Sequence, residues 1–354
     1  MNITSLLETW GDGYVLAAGG AIIGLVFGFA AQRTRFCARA AVLECYEGQP
    51  GERWSLWLLA LGSCFLSVQL LVWLGWLNPS VSRFMAQPGS LSGAVLGGLC
   101  FGAGMILTRG CASRLLVLSA NGNLRALLSG LVFAVTVQAS IGGWLAPWKT
   151  SLSQLWAVDP GPMRDLRHLS GMGALGGLAI AACMFIAGLF FFWRHHSGRW
   201  ILGLGAVLTG LSIAMGWGFT QAVASHSFEP VAVQSLSFSS PSAEWLMRVL
   251  STANASSWGF DTGVLPGAFL GSLIGALLGR EFKLEGFKTE NKLGHYLSGA
   301  VLMGFGAVLA GGCTVGAGMT GGAIFALTAW LTLISIWLGA GLAWRIHKSM
   351  GWAM

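Results

Sequence analysis

The chain returns nine times to an apolar stretch near the ~20 residues that a helix needs to cross bilayer hydrocarbon. These stretches fall at about 14–32, 54–77, 91–107, 126–146, 170–193, 201–222, 259–279, 297–310 and 323–344. In lipid every backbone N–H and C=O must be satisfied internally, which leaves helices as the element for runs of this length. The expectation is therefore an all-α polytopic membrane protein of about nine spans. Composition agrees: 55% of the residues are hydrophobic and only 9% are charged, against about 25% charged in a soluble domain. The 53 Gly and 17 Trp suit closely packed membrane helices with aromatic interface anchors. A formal charge of +7 could point to nucleic acid, but the basic residues are scattered singly and form no stripe. They read as membrane-flanking charges, and no nucleic-acid partner is expected. The first basic residue, Arg33, follows an apolar run, so the start does not resemble a secretory signal.

Two of the nine stretches, the third and the eighth, are short. The third runs directly into Thr108-Arg109-Gly110-Cys111, and the eighth reaches full length only by continuing through a glycine-rich stretch to Gly322. Short, glycine-interrupted spans in matching places point to re-entrant or discontinuous half-helices around a binding site. Loop charge then orients the chain. Arg33, Arg35 and Arg39 follow span one, Arg194 and Arg199 span five, and Arg280, Lys283, Lys288 and Lys292 span seven, while the tail carries Arg345 and Lys348. The opposite loops are poorer in basic residues, except for 147–169 with Lys149, Arg164 and Arg167. The positive-inside rule then puts the N-terminus outside, in the periplasm, and the C-terminus in the cytoplasm.

Comparison of the chain with itself reveals an internal repeat. Gly97, Gly102, Gly104, Gly110 and Cys111 find identical partners 202 residues later in Gly299, Gly304, Gly306, Gly312 and Cys313. The copies lie five spans apart, and an odd separation makes them enter the membrane from opposite faces. The expected architecture is a single transport domain of two inverted halves, about 1–165 and 166–354, with its site near the midplane. Spans one and six should correspond, although their sequences match weakly. Gly20, Gly24 and Gly28, and Gly267, Gly271, Gly275 and Gly279, each place small residues along one helix face for close packing. Gly316-Ala317-Gly318-Met319-Thr320-Gly321 has the form GxGxxG, but it follows no strand. It reads as backbone that bends or starts a half-helix, presenting N–H groups that suit an anion.

Among seven cysteines there is no Cys-x-x-Cys, which argues against zinc ribbons and thioredoxin-type redox pairs. No metal-ligand spacing and no cofactor motif appears. Cys64, Cys100 and Cys183 read as small hydrophobes within spans, and Cys45 as part of a polar loop. Asp261 reads as a helix N-cap. Cys37, Cys111 and Cys313 differ, because each ends a membrane run inside a turn that holds Gly or Arg. A thiol placed near cationic side chains or a helix N-terminus is poised to donate to, or react with, a sulfur anion. Tight packing beside glycine is the alternative reading.

Those segments, with three further pieces, resemble the YeeE/YedE family of bacterial sulfur-transport membrane proteins. The pieces are Arg33–Cys37, Arg109-Gly110-Cys111, Ser237-Phe238-Ser239-Ser240-Pro241, Gly259-Phe260-Asp261-Thr262-Gly263, Gly267-Ala268-Phe269, and the run from Met303 to Gly316. The resemblance covers most of the chain. It implies a carrier, not an enzyme, that passes thiosulfate through an hourglass-shaped pore by successive contacts with Cys37, Cys111 and Cys313. Around these thiols, Gly110, Gly312, Thr314, Arg109 and Arg33 are the expected pathway residues. Ala317 stands where the resemblance leads one to expect a polar residue such as Gln. It further implies residence in the bacterial inner membrane, supply of sulfur for cysteine biosynthesis, and a small TusA-like sulfur-carrier protein as cytoplasmic partner. Transport of a selenium compound or another sulfur oxyanion, and a membrane thiol enzyme forming persulfides, are the competing readings.

Overall fold

A computed structural model describes residues 3–49, 51–196, 198–250, 258–286 and 293–350. Among these residues, nine helical segments are long and apolar enough to cross a membrane, and the protein is an all-α polytopic membrane protein. Two of the basic residues used above for orientation, Lys288 and Lys292, lie outside the described residues. Six spans are continuous helices and three are broken. The first is α1 (Asp12–Arg33) followed by α2 (Ala38–Tyr46), and the second is α3 (Glu52–Trp73). The third is α4 (Leu91–Leu107) followed by α5 (Ala112–Ala120). Next come α6 (Leu124–Gly142), α7 (Ala174–His195) and α8 (Trp200–His226). A buried extended segment then leads to the short α9 (Ser240–Leu250), which precedes α10 (Phe260–Leu278). The eighth span is α11 (Leu293–Leu309) followed by a π-helix (Thr314–Gly321), and α12 (Leu327–Ser349) ends the series.

The broken spans are longer than their apolar stretches indicate, because their second pieces carry polar residues. Cys45 accordingly sits in a helix, α2, and not in a loop. Asp261 is not the N-cap of α10. Gly259 occupies that position, and the Thr262 hydroxyl accepts from the Gly259 N–H at 3.1 Å.

The two glycine faces expected to pack do so on each other. A Cβ added to Gly20, Gly24 or Gly28 of α1 would overlap the carbonyls of Phe260, Val264 or Ala268 on α10. Gly263, Gly267 and Gly271 of α10 meet the carbonyls of Ala17, Ala21 and Leu25 in the same way. Only glycine admits a backbone approach this close, which supplies the dispersion contact that drives helix association in lipid.

The repeated glycines also face their own copies. A Cβ on Gly97 would lie 2.7 Å from the Gly306 carbonyl, and one on Gly104 would lie 2.5 Å from the Gly299 carbonyl. Gly97 corresponds to Gly299 and Gly104 to Gly306, so the contact is reciprocal, the signature of a two-fold axis. Because the pairing runs backwards along the second helix, α4 and α11 are antiparallel copies. The remaining neighbours obey the same exchange. The pair α1 and α10 matches α3 and α8, α4 with α12 matches α6 with α11, and α2 with α12 matches α6 with α9. Span one thus corresponds to span six, as expected, through packing where sequence identity is lost. Helix α7 has no counterpart and lies along α3, where Gly62 and Gly188 let the two backbones meet.

Candidate functional site

Each broken span is interrupted by the same turn. The residue two before the cysteine adopts the left-handed conformation: Arg35 (φ 51), Arg109 (φ 58) and Gly311 (φ 78). In the first and third turns the next N–H reaches back to the helix, from Phe36 to the Ala31 carbonyl at 3.0 Å and from Gly312 to the Ala307 carbonyl at 2.8 Å. This is a Schellman closure, which satisfies the last carbonyls of a helix that must stop inside the membrane. The Thr34 and Thr108 hydroxyls add a bond to the carbonyl four residues back, each at 2.8 Å. Cys37, Cys111 and Cys313 are then extended and occupy the N-cap positions of α2, α5 and the π-helix. All three thiols therefore stand where unpaired N–H groups begin a new helix, carrying partial positive charge.

The three thiols are electrostatically linked through Cys111. Cys111 lies within electrostatic range of both Cys37 and Cys313. Cys37 is half-buried, whereas Cys111 and Cys313 are sealed from solvent. The Gly316 N–H donates to the Cys313 sulfur at 3.4 Å, and the Phe238 and Val315 amides also face it. The Cys111 sulfur lies 3.3 Å from the Ser113 hydroxyl. A polar brace ties the helix end before the Cys37 turn to two other helix ends. Gln32 donates to Glu281 at 2.8 Å and accepts from Asn121 at 2.9 Å, tying the ends of α1, α5 and α10.

The other sequence-nominated residues divide. Gly110 and Gly312 both precede a thiol and both are buried. A Cβ on Gly312 would lie 2.7 Å from the Ala317 nitrogen, whereas on Gly110 the nearest atoms are 3.5 Å away. Thr314 is buried beside Cys313, and its hydroxyl bonds to nothing. A buried polar atom without a partner is uncommon in folded proteins. Arg109 stands over the Tyr296 ring, 5.8 Å from its centroid, beside Arg125 at 4.7 Å. Arg33 is exposed and lies against Gly279 at the end of α10. The guanidinium groups that act on Cys37 are instead Arg114 and Arg39.

A fourth component escaped the sequence reading as site material. The buried segment Ser235–Ser239 enters between α8 and α9, at the place that the two-fold exchange assigns to the Cys37 turn. Ser237 packs on Gly316, whose added Cβ would lie 2.6 Å from the Ser237 hydroxyl. Ser237 and Ser239 share a hydrogen bond at 3.3 Å, and Thr320 donates to the Leu236 carbonyl at 2.7 Å. The signal was present in Ser237-Phe238-Ser239-Ser240-Pro241, but it becomes legible only once spans one and six are superposed.

Three turns thus each place a cysteine at the start of the second piece of a broken span. A family model described as sulphur transport matches residues 33–342. The chain belongs to the sulphur transport (YeeE/YedE) family. Among curated relatives in this family, the thiosulfate transporter TsuA of Spirochaeta thermophila is 25% identical over 346 residues, covering 93% of this chain and 98% of that protein. The thiosulfate transporter TsuA of Escherichia coli is 25% identical over 360 residues, covering 94% of this chain and 96% of its own length. The family match begins at Arg33 and so takes in all three thiol turns.

Proposed function

We propose that this protein carries thiosulfate across the bacterial inner membrane, handing it along the row Cys37, Cys111 and Cys313. The observation that carries this reading is the placement of three thiols at three half-helix starts, with Cys111 in electrostatic reach of both the others. Thiosulfate has a soft terminal sulfur and hard sulfonate oxygens. An S–H group donates weakly to either end, so each station binds without trapping, and a passage needs several such stations rather than one tight one. Backbone amides at the helix starts stabilise the negative charge where it is desolvated. The cysteines act by contact and form no lasting covalent adduct, so the protein is a conduit and not an enzyme. The halves 1–165 and 166–354 form one transport domain, with the N-terminus periplasmic and the C-terminus cytoplasmic.

Inward movement of a dianion opposes a negative interior by roughly 2.3 kcal/mol per charge per 100 mV. Uptake therefore depends on removal of the product inside, and a small TusA-like sulfur carrier at the cytoplasmic mouth would supply that sink for cysteine biosynthesis. The test is growth on thiosulfate of bacteria that cannot reduce sulfate, together with uptake of labelled thiosulfate into vesicles holding the purified protein. Expression should restore growth, and Cys111→Ala or Cys313→Ala should abolish it. Undiminished growth with both thiols removed would refute the relay.

A further inference from the structure

Arg114 differs from those arginines that find a carboxylate. Buried Arg167 pairs with Asp165 at 2.7 Å, part-buried Arg248 with Glu244 at 3.8 Å, and exposed Arg35 with Glu281 at 3.0 Å. Arg114 has no carboxylate within ion-pair distance among the described residues, and its Nη1 is buried and bonds to nothing. The groups that act most strongly on it are the Cys37 and Cys111 thiols, followed by two further cations, Arg53 and Arg35. Its stem passes beside Gly110: a Cβ added there would sit 3.5 Å from the Arg114 Cγ. A part-buried guanidinium with an unpartnered nitrogen beside thiols and like charges is costly, and a bound anion would offset that cost. Arginine stays charged in such a place and presents two parallel donors to an oxyanion, which lysine does not.

We infer that Arg114 is an anion-binding residue of the passage, holding the sulfonate oxygens of a doubly charged sulfur oxyanion between Cys37 and Cys111. The inference rests on the transport reading above and adds the charged station that the thiols alone lack. The repeat sharpens it. At the offset that pairs Cys111 with Cys313, Arg114 pairs with Gly316. One half therefore offers a full charge where the other offers only backbone N–H groups. Charge on the Cys37–Cys111 side, where Arg39 also acts on Cys37, draws the anion in, and the neutral Cys313 side lets it leave.

The experiment measures the rate at which Cys37, the half-buried thiol, is modified by methanethiosulfonate reagents. An anionic ethylsulfonate reagent is compared with its cationic trimethylammonium counterpart on the purified full-length protein, read at that site by peptide mass spectrometry. Wild type should favour the anionic reagent. R114Q should lower that preference by about tenfold, the scale on which a lined cleft concentrates counter-ions, and R114K should keep most of it. If R114Q does not give a folded protein, R114M, of similar length and uncharged, takes its place. A preference unchanged within about twofold in the neutral variant overturns the inference. Adding thiosulfate separates the two readings. Protection of Cys37 in wild type but not in the neutral variant supports both. A charge preference that moves with Arg114 while thiosulfate protects neither protein leaves the anion station standing and removes thiosulfate as its occupant.

Discussion

The turn at Cys111 and the turn at Cys313 begin alike and continue differently. Both stop a glycine-rich helix with a left-handed residue, at Arg109 and Gly311, and both make the cysteine an N-cap. After Cys111 the chain forms a regular nine-residue α-helix with Ser113 and Arg114 in its first turn. After Cys313 it forms an eight-residue π-helix in which every residue is buried and Gly316, Gly318 and Gly321 carry no side chain. Those glycines are pressed against Ser237, Leu333 and Phe84, so the segment is threaded through the interior where α5 lies along α10. Duplication preserved the stop, because an intramembrane break has few ways to satisfy its carbonyls. The start is not shared, since Arg114 in the first turn after Cys111 is matched by Gly316 after Cys313.

The most severe test of this comparison removes the thiols one at a time. Cys111→Ala and Cys313→Ala should each slow thiosulfate uptake into vesicles by about tenfold or more, the effect of losing a contact of ~1.4 kcal/mol. If only one of them does so, the two turns are not successive stations. Next, Gly312→Ala forces a Cβ to within 2.7 Å of the Ala317 nitrogen and should cost about 1–3 kcal/mol. Gly110→Ala meets only ordinary contacts at 3.5 Å and should cost less than about 1 kcal/mol. Thermal midpoints in detergent separate the pair, and equal losses would show that the turns are packed alike after all. Gly311→Ala puts a Cβ on a left-handed residue and should cost about 1 kcal/mol. Arg109→Gly relieves that conformation, loses a contact with Tyr296, and should leave the midpoint within about 1 kcal/mol of wild type. The smallest change in stability is expected for Thr314→Val, which deletes a buried hydroxyl that has no partner and should be neutral or slightly stabilising. Its use is in binding: thiosulfate should raise the midpoint of wild type more than that of this variant.

Much of the architecture is visible in the residues alone, since membrane spans announce themselves by length and apolarity. The repeated glycines were equally visible, because they pack on each other and no other residue fits where Gly97 meets Gly306. The match between spans one and six was not. It survives as shared neighbours, and side chains facing lipid or a passage change without disturbing those contacts. The same limit explains the arginines. Arg33 and Arg109 flank the cysteines in sequence, yet Arg33 lies on Gly279 and Arg109 on Tyr296. Arg39 and Arg114 reach the Cys37 thiol because each enters the first turn of the helix that a cysteine caps. Direction around a helix that starts at an unexpected residue cannot be read from adjacency. Ser235–Ser239 was hidden for a related reason: an extended polar stretch between spans reads as a loop until it is found inside.

Helix α7 packs along α3 and has no partner under the two-fold exchange. Its importance is one of parity. A unit of four crossings begins and ends on the same side of a membrane, so two such units joined end to end would share one orientation. A single intervening crossing turns the second unit upside down and makes an antiparallel meeting of α4 with α11 possible. For that purpose the residues of Ala174–His195 matter less than their number being enough for one passage.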